Sequence, residues 1–203
     1  GNELHYKWKD ENVFGGGNAG HVRNNTDVTI DGSAKVDGNV YGGGSYGQVK
    51  QETNVNMIGG SVEGSVFGGG EGVLTDEMSG LVEGNTTVTM TGGIVERSIY
   101  GGGSLGSVGT WIDSTLVSYT EEPNAGVSVY VPTESATGTG LSTVTVTGGS
   151  VGLRGSLMPW DDHNPDDDDR GWVFCGGAGN ADSINYPKVI AMAVVNATHL
   201  EIS

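Results

Sequence analysis

Valine recurs along this chain at a spacing that an α-helix would not produce. It stands at the centre of "TDVTIDG" (26–32), "TNVNMIGG" (53–60), "TTVTMTGG" (86–93) and "STVTVTGG" (142–149), and Leu200 takes that place in "THLEIS" (198–203). Six positions before these centres come Val22, Val49, Val82 and Val194. Seven or eight positions after them come Val36, Val62, Val95 and Val151. Four further on come Val40, Val66 and Ile99, and after an insertion Val173. The period is 26 or 27 residues, as between Val40 and Val66 or Val28 and Val55, and about five copies are present. Within each copy, apolar and polar residues alternate. In "TTVTMT", Thr86, Val88 and Met90 form one set, and Thr87, Thr89 and Thr91 the other. Period-2 alternation in short runs predicts half-buried strands. No segment carries a convincing 3.6-residue pattern.

A second motif alternates with the first: "VFGGGNAGHV" (13–22), "VYGGGSYGQV" (40–49), "VFGGGEG" (66–72), "IYGGGSLGSV" (99–108) and "VFCGGAG" (173–179). Glycine supplies 38 of the 203 residues, far above its usual share of about 7%. A flexible linker would not hold valine in register across the copies. Glycine is expected because these corners combine positive φ with close stacking of one turn of chain on the next. Three short strands and three corners fill one period. The predicted fold is therefore all-β: a parallel β-helix (β-solenoid) of about five coils, right-handed by the bias of parallel crossovers. Its expected inner rows are Val28/Val55/Val88/Val144/Leu200, Ile30/Met57/Met90/Val146/Ile202 and Val36/Val62/Val95/Val151. Residues 1–12 are expected to cap the first coil, because an open strand edge invites aggregation. Residues 13–203 form the solenoid domain.

The extra residues enter at corners, near 74–80, at 111–140, at 156–172 and before Val194. Stacked repeats tolerate surface loops at such places. The last strand ends in mid-repeat, which reads as a fragment of a longer array.

Net charge is −16. That argues against nucleic-acid binding and against docking on anionic lipid. No apolar run approaches membrane-spanning length, so no membrane insertion is expected. The chain begins at Gly1, not Met, and shows no signal peptide, as in an excised piece or after removal of a targeting segment. Cys175 is the single cysteine and cannot form an internal disulfide.

The alternation of "V[FY]GGGxxGxV" with "TxVTxxGGxV" resembles glycine-rich β-solenoid repeats of large secreted and surface proteins of Bacteroidetes-type gut bacteria. It covers residues 13–110, 142–155, 173–179 and 194–203. The resemblance implies an adhesin-like or surface-coat role, outside the cell or on its surface, with no defined activity.

Candidate chemistry is sparse. The loop "WDDHNPDDDDRGW" (160–172) gathers Asp161, Asp162, Asp166, Asp167, Asp168 and Asp169, hard oxygen donors suited to Ca²⁺. It lacks EF-hand spacing, and a solvated acidic loop is the other reading. The outward threonines form rows that ice could match, but Asp27, Asn54, Asn56 and Ile58 interrupt them. Phe14, Tyr41, Phe67, Tyr100 and Phe174 form an aromatic row. Such a row either stacks on sugar rings or packs away beneath the insertion at 111–140, and packing is the stronger expectation. Cys175 stands where a glycine is expected and reads as a small buried residue. His5, His21, His163 and His199 show no zinc spacing. "NNT" (24–26), "NTT" (85–87) and "NAT" (196–198) match the N-glycosylation pattern, but their place in the repeat suits a turn. No catalytic or cofactor-binding residues are assigned.

A polysaccharide lyase or glycoside hydrolase is the alternative. It would draw on Asp27 and Asp31 near Arg23, or on the acidic loop with Arg154 and Arg170, but neither set forms a recurring acid–base pair. The favoured reading is a non-catalytic structural or adhesive module of a secreted or cell-surface bacterial protein. It would present loops 111–140 and 156–172 to a glycan or a host or cell-surface protein.

Overall fold

A computed structural model describes residues 11–110, 114–118, 120, 128–132, 138–152, 171–179, 192–197 and 201–202. These residues are all-β. The valine periodicity becomes parallel pairing, in which each strand lies beside its counterpart one repeat away. Three five-stranded sheets result. The first holds β1 (Val13–Phe14), β4 (Val40–Tyr41), β7 (Val66–Phe67), β10 (Ile99–Tyr100) and β15 (Val173–Phe174). The second holds the longer strands β2 (Thr26–Ile30), β5 (Thr53–Met57), β8 (Thr86–Met90), β13 (Leu141–Val146) and β16 (Met192–Ala197). The third holds β3 (Lys35–Val36), β6 (Ser61–Val62), β9 (Ile94–Val95), β14 (Ser150–Val151) and β17 (Glu201–Ile202). Single bridges add a fourth row, Val22 to Val49 to Val82 to Val108. The arrangement is consistent with a β-helix or solenoid.

The alternation decides which side chains enter the core. β5 and β8 bury every second residue. Val55, Val88 and Val144 are nearly or wholly inaccessible, as are Met57, Met90 and Val146. Burying each such side chain contributes roughly 1.5–3 kcal/mol, and like side chains stack on like along the core. The leading threonine of β2, β5 and β8 also points inward. Its hydroxyl donates to a corner carbonyl: Thr26 to Gly42 O at 2.6 Å, Thr53 to Gly68 O at 2.5 Å and Thr86 to Gly101 O at 2.7 Å. Serine replaces threonine in the next repeat, and the buried Ser142 hydroxyl has no partner.

The two glycine motifs turn out to need glycine for different reasons. Gly60, Gly93 and Gly149, which follow long strands, have φ of 72°, 86° and 93°, where a side chain is strained. The GGG corners contain no positive φ. There the requirement is steric. A Cβ on Gly43 would lie 2.7 Å from Gly70 N and 2.8 Å from its Cα. The expectation that GGG corners turn through positive φ is therefore corrected.

The last repeat pairs in a different register from the expected one. Val195, not Leu200, lies beside Val144, and Ala197, not Ile202, lies beside Val146. Ile202 pairs with Val151. The spacing explains the result. Val144 to Val151 is seven positions, and so is Val195 to Ile202. Val194 consequently sits in β16 opposite Thr143, and the Val22 row continues to Val108 instead.

Candidate functional site

A parallel stack turns any position that recurs into a column, and three columns set the surface chemistry. The first is aromatic. In β4, β7 and β10 both residues of the strand are buried. Val40, Val66 and Ile99 enter the main core, and Tyr41, Phe67 and Tyr100 form a second apolar cluster. Their rings stack face to face from Phe14 to Tyr41, Phe67 and Tyr100 at 4.8, 4.8 and 4.9 Å, with interplanar angles of 6° to 8°. That spacing is the separation of neighbouring strands, so the backbone sets the stacking. Burial pushes the Tyr41 hydroxyl well above its ordinary pKa, and the nearby Glu71 charge adds to the shift. Asn39 Nδ2 donates to that hydroxyl at 3.4 Å, while Ser45 donates to Glu71 at 2.5 Å. Packing is thus the fate of the middle of the row.

The second column precedes the aromatic strands. Asn12, Asn39, Ser65 and Ser98 each accept a backbone N–H from the next repeat. Asn39 N reaches Asn12 Oδ1 at 2.7 Å, Ser65 N reaches Asn39 Oδ1 at 2.8 Å, and Ser98 N and Trp172 N reach serine hydroxyls at 3.3 Å. The fifth place in this column is Trp172, which carries no side-chain acceptor. Its ring lies parallel to Phe174 at 5.8 Å with an interplanar angle of 10°. Phe174 in turn stacks on Tyr100 at 5.1 Å. Trp172 is 52% exposed and Phe174 39%, against 3–5% for the three middle rings. Aligning the residue before each "V[FY]" pair would have singled out Trp172 as the one large residue in a column of small acceptors.

The third column is the outward face of the long strands. Asp27, Asn54, Thr87 and Thr143 lie side by side, as do Thr29, Asn56, Thr89 and Thr145. Asn54 Nδ2 donates to Asp27 Oδ1 at 3.0 Å. Asp31 accepts from Gly32 N at 2.6 Å. Each carboxylate is thus engaged in a local surface hydrogen bond. Arg154 and Arg170 lie outside the described residues. Asn25 and Asn85, just before β2 and β8, accept N–H groups of Glu52 and Leu141 in the next repeat at 3.1 and 2.9 Å, whereas Asn196 of "NAT" lies within β16.

The insertion at 111–140 is bounded by paired residues. Gly109 and Gly140, with φ of 88° and 90°, mark its exit and return. Thr139 N donates to Thr110 O at 2.9 Å, and Thr110 N to Thr139 Oγ1 at 3.0 Å. Beyond this clamp, β11 (Ser114–Ser118) and β12 (Ser128–Pro132) pair antiparallel and form a sheet of their own. The expected loop therefore contains a two-stranded ribbon. Asp161, Asp162, Asp166, Asp167, Asp168 and Asp169 lie outside the described residues, and so does most of the expected N-terminal cap. Among the described residues, no group of three or more His, Cys, Asp or Glu is placed to hold a metal, and no helix is long and apolar enough to cross a membrane.

Comparison with protein families, with curated proteins and with solved structures found no match to this chain.

Proposed function

We propose that this chain is a non-catalytic structural and adhesive module, a right-handed parallel β-solenoid of about five repeats. It would serve a secreted or cell-surface bacterial protein of the glycine-rich repeat type, presenting its insertions to a glycan or a protein partner. One observation carries the reading. The register survives long excursions: Val144 pairs with Val88 and Val173 with Ile99, positions 56 and 74 residues apart. A scaffold that keeps its pairing while loops come and go separates support from recognition. The clamp at Thr110 and Thr139 marks one such boundary.

A glycan array combined with a reducing-end assay on pectin-like and host polysaccharides tests it. Binding without turnover is the expected result. Replacing 111–138 by a short glycine linker should leave the melting temperature of the stack nearly unchanged. Turnover of any polysaccharide would overturn the module reading in favour of a lyase or hydrolase.

A further inference from the structure

The aromatic column is buried through its middle and open at one end, and that end departs from the rest of the repeat twice. At the first glycine of each GGG corner, a Cβ would run into the same residue of the following repeat: Gly15 into Gly42 O, Gly42 into Gly68 O, Gly68 into Gly101 O and Gly101 into Cys175 O. Cys175 is the fifth member and already carries a Cβ. A sixth strand in the same register would place its carbonyl on that atom. The neighbouring column breaks at the same repeat, because Trp172 offers no acceptor to a following N–H. Both departures disfavour a further strand in the same register beyond β15. The exposed rings are therefore not a stacking surface left for one more like repeat.

We propose that the parallel ring pair Trp172 and Phe174 is a binding site for the apolar face of a neutral sugar ring in an oligosaccharide. A pyranose offers a flat face of C–H groups with hydroxyls around its edge. An exposed aromatic face takes the C–H groups while the hydroxyls remain in water. Phe174 is held from behind by Tyr100 at 5.1 Å, so little ring freedom is lost on binding. The net charge of −16 selects against uronic and sulfated sugars. A cation over such exposed rings would gain little. A protein partner would anchor best in a desolvated pocket rather than on open rings. This proposal rests on the adhesive reading and assigns its glycan contact to the end of the column instead of the ribbon of the insertion.

The test is binding of the whole chain to immobilised neutral hexose oligosaccharides and, as controls, polyuronate and sulfated glycans. Trp172→Ala should weaken neutral-sugar binding at least tenfold, and Trp172→Phe should keep most of it. The far-UV spectrum and melting temperature should barely move, because Trp172 is more than half exposed. Binding by the parent chain that survives Trp172→Ala but is lost with the ribbon would overturn the site and leave the adhesive reading standing. Absence of neutral-sugar binding by the parent chain would overturn the site outright. So would a concentration-dependent dimer that Trp172→Ala dissolves, since the rings would then serve a second copy of the chain.

Discussion

Gly43 and Gly176 occupy the same place in the same corner, yet only one of them needs to be glycine. A Cβ on Gly43 would strike the backbone of Gly70, whereas a Cβ on Gly176 would meet nothing within 4 Å among the described residues. The same contrast appears at the opposite end. A Cβ on Gly47 would collide with Gly20 O, while Gly20 itself faces open space. At these positions the neighbouring repeat imposes glycine, whereas at Gly17 and Gly44 the corner does so itself, through Gly20 O and Gly47 O. Constraint therefore depends on whether a neighbouring repeat faces the position: Gly15 and Gly16 of the first repeat are as confined as Gly42 and Gly43, whereas Gly20 and Gly176 are released, and Cys175 and Trp172 depart from the pattern beside the latter.

The largest break of this comparison lies in the core. Val88 is fully buried and Val195, in the same row, is 40% exposed. Val88→Asp should cost about 3–5 kcal/mol, because an unpaired charge would be buried. Val195→Asp should cost far less. Urea unfolding with an unchanged slope measures both. Equal losses would mean that the last repeat is as enclosed as the interior.

Gly43→Ala comes next. The added methyl would wedge against backbone that cannot rotate away, at a cost of roughly 1–3 kcal/mol. Its urea midpoint should fall clearly below that of the parent chain. A midpoint unchanged by the methyl would show that the repeats are less closely stacked than the 2.7 Å approach to Gly70 N implies.

How far such contrasts are legible in the sequence depends on whether they repeat. The rows through Val28, Val55, Val88 and Val144 could be read because apolar alternation and a fixed period reinforce each other. The end of the chain misled for the same reason. "THLEIS" imitates the repeat motif, and only the seven-residue step from Val195 to Ile202 reveals the register. Burial of Tyr41, Phe67 and Tyr100 was legible as a preference, because a two-residue strand carries too little alternation to assign its faces. The reason for each glycine was not legible. Positive φ at Gly93 and a backbone approach at Gly43 demand the same letter. The acceptor column of Asn12, Asn39, Ser65 and Ser98 escaped notice because asparagine and serine are ordinary in turns, and Trp172 escaped with it. The acidic loop was conspicuous in sequence and lies outside the described residues.

Thr86→Val probes the interior polar contacts. Valine matches the volume but removes the hydroxyl that Gly101 O accepts at 2.7 Å. A buried carbonyl deprived of its donor costs about 1–2 kcal/mol. Ser142, one repeat on, already has no partner, so Ser142→Ala should cost little. Melting temperatures of the two variants check the difference. Similar falls would mean that volume, not the hydroxyl, governs this row.

The smallest effect is expected at Gly176, and it separates the corner from its neighbour most cleanly. Its carbonyl lies in the same ladder as the other corners, accepting from Gly102 N at 3.0 Å. Its φ is not in the left-handed region, so alanine adopts the backbone without strain. No atom of the described residues stands where the methyl would go. Alanine also restricts the unfolded chain more than glycine does, which favours the folded state by about 0.4–1 kcal/mol at a compatible site. Gly176→Ala should therefore leave the urea midpoint unchanged or raise it slightly, while the identical change at Gly43 lowers it. The pair holds motif, residue type and backbone region constant and varies only whether a repeat lies above. A loss at Gly176 comparable to that at Gly43 would mean that something covers the end of this sheet in solution, and the exposed rings of Trp172 and Phe174 would then be sheltered as well.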